Sequence, residues 1–86
     1  MTEMPYEELG QVRRFSKDVD SDELKWHRDR EDRVVTPLNN NDWMFQRDNC
    51  LPEPMDGEIR VARGEWHRVI KGTTDLEVRV IKKERT

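Results

Sequence analysis

Residues 57–72, GEIRVARGEWHRVIKG, leave this chain few ways to fold. Ile59 and Val61 alternate with Glu58, Arg60 and Ala62, the period-two pattern of a strand with one buried face. Arg63 and Gly64 follow, and glycine supplies the backbone freedom of a tight turn. A second run, EWHRVIK, then carries His67. The spacing predicts β structure that holds this imidazole on a strand rather than on a mobile loop.

The same alternation recurs along the chain. In residues 23–29, Leu24 and Trp26 face one way and Lys25, His27 and Asp29 the other. Residues 33–38 put Val34, Thr36 and Leu38 on one face, and Pro37 predicts an edge or bulge there. Residues 43–48 set Trp43 and Phe45 against Met44 and Gln46, and residues 76–82 set Leu76, Val78 and Val80 against charges. Turn signals at residues 39–42, 49–56 and 72–75 separate the runs, which favours an antiparallel sandwich or barrel. Residues 1–17 read as an N-terminal arm or edge strand and 18–83 as the barrel. In the arm, Met4, Tyr6, Leu9, Val12 and Phe15 lie near helical spacing, but Pro5 and Gly10 interrupt it. A short edge strand over residues 11–16 fits as well as a helix. The closing KKERT reads as a solvated tail.

Composition narrows the function classes. Of 86 residues, 41% are charged and 33% hydrophobic. A domain this small buries only about 60% of its unfolded surface, so either a compact barrel or a homodimer sharing a core is expected. The net charge of -3, with both signs interleaved, argues against nucleic-acid binding. No apolar run approaches the roughly 20 residues that span a bilayer, and the start does not read as a signal peptide. A soluble cytoplasmic protein is the expectation. Cys50, the one cysteine, excludes an internal disulfide and reads as a small, buried or semi-buried apolar residue. The acidic stretch 18–23 imitates a calcium loop through Asp18, Asp20 and Asp22, with Asp29 at the twelfth place. Glu23 stands where that loop needs glycine, so a solvated turn is the better reading.

The chemistry-bearing residues are the two histidines, each inside a Trp-His-Arg tripeptide at residues 26–28 and 66–68. His27, Asp29 and Arg33 can line one interior wall, with His67 facing them from another strand. Gln46 points either into the same bore or outward. Asp29 pairing with Arg33 gives a metal-free polar cluster; two imidazoles and one carboxylate can instead hold a transition metal with open positions.

Over residues 21–81 the chain resembles the cupin superfamily of small β-barrels. The first cupin motif runs Gly, His-x-His, Glu, Gly; here Ser21, His27, Asp29, Arg33 and Asn40 stand at those places. In the second motif Gly57, Ala62, Gly64, His67 and Lys71 occupy the Gly, Pro-x-Gly, His and Asn positions, one residue short between Gly57 and Ala62. The chain is also similar to very short cupin-like proteins of phage and bacterial genomes. The resemblance implies an all-β, antiparallel jelly-roll barrel. It further implies a small polar or anionic ligand, or a divalent ion such as manganese, iron, nickel or zinc, in a bore lined by His27, Asp29, Arg33, Gln46 and His67. The metal set would be His27, Asp29 and His67, with Glu31 or Asp32 replacing the carboxylate that Arg33 displaces. An isomerase, lyase or dioxygenase activity and a surface that engages a protein partner are both open. Trp26, Trp43, Trp66 and Phe45 read as core or subunit-interface anchors. All four fall opposite the histidines in this reading, which suggests a polar bore and an outer apolar face that a second subunit could cover.

Overall fold

The computed structural model describes residues 5–83. Met4 and residues 84–86 of the tail lie outside them. Among the described residues eight strands form two antiparallel sheets: β1 (Glu7–Leu9), β2 (Val12–Phe15), β3 (Asp32–Pro37), β4 (Met44–Arg47), β5 (Glu53–Pro54), β6 (Ile59–Val61), β7 (His67–Ile70) and β8 (Leu76–Lys83). The larger sheet has the order β1-β2-β8-β3-β6 and the smaller one β5-β4-β7. No α-helix occurs among the described residues; a 3-10 turn at Ser21–Glu23 is capped by Asp20, whose carboxylate accepts from the Asp22 amide.

Alternation decides what is buried. Trp43 and Phe45 on and beside β4 meet Ile59 and Val61 of β6 and Leu76, Val78 and Val80 of β8, all buried in one core between the sheets. Pro37 fits because β6 pairs with β3 only over Arg33, Val34 and Val35. Beyond Val35 one side of β3 is an edge, and a missing N–H there costs no ladder bond.

Of the two readings of residues 11–16 the strand is the one found: β1 and β2 form a hairpin about Gly10, at φ 64°, and β2 pairs with β8 in the larger sheet. Two expectations change. Residues 23–29 make no continuous strand, only a single bridge at His27 after the 3-10 turn; the flanking run RDRED offers no apolar residue to bury. Cys50 is exposed rather than buried or semi-buried, because it closes the turn after β4 with Asn49 at φ 57°.

The turns at residues 62–66 and 71–75 carry the chain from one sheet to the other, since β6 and β8 lie in the larger sheet and β7 in the smaller. At one end of the molecule Asp42 takes hydrogen bonds from the Thr73 amide and hydroxyl, at 2.7 and 2.6 Å. The Trp43 indole donates to the Thr74 carbonyl beside it. The opposite end, where β3 starts and β8 finishes, holds the histidines.

Candidate metal and ligand site

His27 and His67 are placed by backbone bonds. Each amide donates to the other's carbonyl, at 3.0 and 2.9 Å, so the two residues face each other as a hydrogen-bonded antiparallel pair with both rings on one side of the bridge. The ring centroids are 4.3 Å apart, edge to face. The Gly64 turn, at φ 79°, continues the pairing: the Gly64 amide donates to the Asp29 carbonyl, and the Arg63 amide to Asp32 Oδ1. That contact brings Asp29 beside His67.

The ring tautomers follow. His27 Nδ1 lies 2.9 Å from the Lys25 carbonyl, and His67 Nδ1 lies 2.8 Å from the Glu65 carbonyl. A carbonyl can only accept, so in each neutral ring Nδ1 carries the proton and Nε2 keeps its lone pair. His67 Nε2 points at Asp29 Oδ2, 3.4 Å away, and His27 Nε2 lies 4.0 Å from Asp29 Oδ1. Burial pushes the His67 pKa below the usual histidine value, against the opposing effects of the Glu65 carbonyl and the Asp29 charge. In the neutral ring, then, two acceptors face each other with no hydrogen between them. Asp29 Oδ2 is buried without a hydrogen-bond partner, a costly arrangement unless a cation fills it.

Arg33 lies 3.3 Å from Asp29 Oδ1, but its closer partner is Glu31, which accepts from both Nε and Nη2 at 2.8 and 2.7 Å. Arg33 is therefore largely neutralised by Glu31, and Asp29, Glu31 and Arg33 together leave the group one unit negative. Glu31 and Asp32 are engaged with Arg33 and with the Arg63 amide. Neither belongs to the ligand set: among the described residues, three potential ligand atoms come within 4.8 Å of one another only in His27, Asp29 and His67. The aspartates of residues 18–22 form no such group.

Gln46 is not brought to the cluster. Its Oε1 accepts from Arg68 Nε and its amide donates to the Cys50 carbonyl, on the face of β4 away from Phe45. The outer face of the bridge carries two arginines as well as the two tryptophans. The pairing of His27 with His67 sets Trp26 across from Arg68 and Arg28 across from Trp66, and each guanidinium lies over the facing indole at 4.8 and 5.3 Å. The doubled Trp-His-Arg carried that signal: an antiparallel pair of such tripeptides aligned on histidine must match each tryptophan with an arginine.

Next to the cluster a cavity of about 570 Å³ runs between the sheets, bordered by His27, Asp29, Arg33 and His67 at one end and by core side chains below. No family model, no curated protein and no solved structure matches the chain.

Proposed function

We propose that this chain is a small cupin-like domain that holds a divalent transition metal on His27, Asp29 and His67 and presents it to a small anionic ligand in the adjoining cavity. The observation that carries the reading is the orphaned, buried Asp29 Oδ2 facing the bare Nε2 of His67. Two imidazoles and one carboxylate suit manganese, iron, nickel or zinc. Their spacings of 3.4 and 4.0 Å are near the roughly 3 Å between neighbouring ligand atoms on an ion with 2.1 Å bonds. The carbonyls that fix both Nδ1 protons are the outer partners that metal-bound histidines ordinarily have. Bound there, such an ion supplies a Lewis acid with open coordination positions. Arg33, neutralised by Glu31, opposes the ion less than a free guanidinium would.

Elemental analysis after incubation with each metal and gel filtration tests this. One equivalent per chain is expected for the native protein, and none for His67→Ala or Asp29→Asn. A native protein that retains no metal, or an Asp29→Asn variant that retains a full equivalent, overturns it.

A second reading concerns the outer face. Trp26 and Trp66 are 39% and 43% exposed and lie side by side with Arg28 and Arg68. We infer that a second copy of the chain covers them in a homodimer. Light scattering is expected to give twice the chain mass, falling to the monomer mass in Trp26→Ser combined with Trp66→Ser. A monomeric native protein at tens of micromolar rejects the dimer.

A further inference from the structure

The cavity is more apolar than a site for a small ion requires. Below the histidine end its walls are Phe15, Val35, Phe45, Met55, Val69 and Val80, drawn from both sheets. The space is open to solvent at the histidine end, and its floor is the packed core. At about 570 Å³ the space lies within the range of pockets that enclose organic ligands.

Charge at the mouth indicates which end of a ligand enters last. Along β8, Leu76, Val78 and Val80 face inward, and Lys82 continues the same row at the rim, level with Arg33 on β3. Lys25, whose carbonyl holds His27 Nδ1, also lines the cavity. Neither ammonium group has an ion-pair partner among the described residues, whereas Arg13 at the same opening is held by Glu8 at 3.3 Å. From Lys82 the row runs inward to Val80, so a ligand that enters past the lysine meets apolar walls.

We propose that the cavity binds a medium-chain monocarboxylate. Its alkyl chain lies between the two sheets, and its carboxylate is received at the mouth by Lys82 and Lys25. This goes beyond the metal reading and needs no metal.

The test is calorimetric titration of chelator-treated protein with decanoate, using decanol, decyltrimethylammonium and acetate as comparisons. One decanoate per chain is expected, and no binding of acetate. Each methylene between hexanoate and decanoate should tighten binding about fourfold. Decanol and the ammonium amphiphile should bind at least tenfold more weakly than decanoate. Lys25→Gln with Lys82→Gln, both at exposed positions, should cost decanoate about tenfold and leave decanol unchanged. Val35→Phe, checked for folding by circular dichroism, should abolish binding. Absence of decanoate binding, equal affinity for decanol, or indifference to the lysine pair overturns the proposal. Metal retention is measured separately on the same preparations, so a protein that loads metal but takes no decanoate removes only this inference.

Discussion

His67 is the residue on which the site turns. It is buried, stacked on Phe45 with ring centroids 5.5 Å apart, and held by its Nδ1 hydrogen bond to the Glu65 carbonyl. Its folded pKa lies below that of the unfolded chain because burial disfavours the imidazolium. The sign of the resulting pH dependence follows from linkage. The unfolded ring takes up a proton near its ordinary value of about 6.5, while the folded ring resists. The stabilisation is therefore complete above that value and is lost as the pH falls from there towards the lowered folded value. Urea unfolding in the presence of a chelator should show the midpoint dropping between pH 8 and pH 5. In His67→Gln that drop should shrink. An unchanged midpoint in the native protein would mean that the folded ring protonates as readily as the unfolded one.

Among the elements, the cross-sheet turns matter most, because neither is backed by a hairpin ladder. At the end away from the histidines, residues 39–42 and 72–75 clamp each other through Asp42 and Thr73. The hydroxyl and amide of Thr73 hold the Asp42 pKa below the usual carboxylate range. Gly72 makes the approach feasible: a Cβ there would run into the Asp42 carboxylate and come within 2.8 Å of its backbone carbon. Backbone yields less readily than a side-chain tip. Gly72→Ala should therefore destabilise the protein by about 1–3 kcal/mol, read as a lower urea midpoint at unchanged slope. A neutral effect would show that the turns are free to separate. At the other end the Gly64 turn is anchored by its own amide and by Arg47 Nη1 on Glu65 at 2.6 Å. That anchoring sets the Glu65 carbonyl where His67 needs it.

At the scale of the molecule, the candidate metal group adds a side-chain link where the His27–His67 and Gly64–Asp29 backbone bonds already tie the two sheets together. His67 begins β7 in the smaller sheet, while Asp29 leads through Arg33 into β3 of the larger one. An ion bound to both would bind the native fold and not the unfolded chain. At a free metal concentration a hundredfold above the dissociation constant, stability should rise by about 2.7 kcal/mol. A scanning thermal melt with zinc or nickel is expected to move upward in the native protein and to stay in place in Asp29→Asn. No shift in the native protein would mean that the two sheets gain nothing from the ion.

Much of this was legible in the chain. Period-two alternation located the buried rows Trp43–Phe45, Ile59–Val61 and Leu76–Val78–Val80, because a strand with one face in a core has no other way to place its apolar side chains. Chemistry alone also nominated His27, Asp29, Arg33 and His67, and the structure does bring them together. What alternation could not decide is which strand meets which. It could not assign the turns at Gly64 and Gly72 to sheet crossings rather than hairpins, since both uses ask for the same turn residues. Nor could it separate Gln46 from the cluster, because the direction of an outward residue depends on which sheet covers its strand. The orphaned oxygen of Asp29 is the furthest from the sequence. It arises only when the His27–His67 bridge and the Gly64–Asp29 bond close together, and hydrogen bonds between residues so distant along the chain are chosen by packing rather than by local preference.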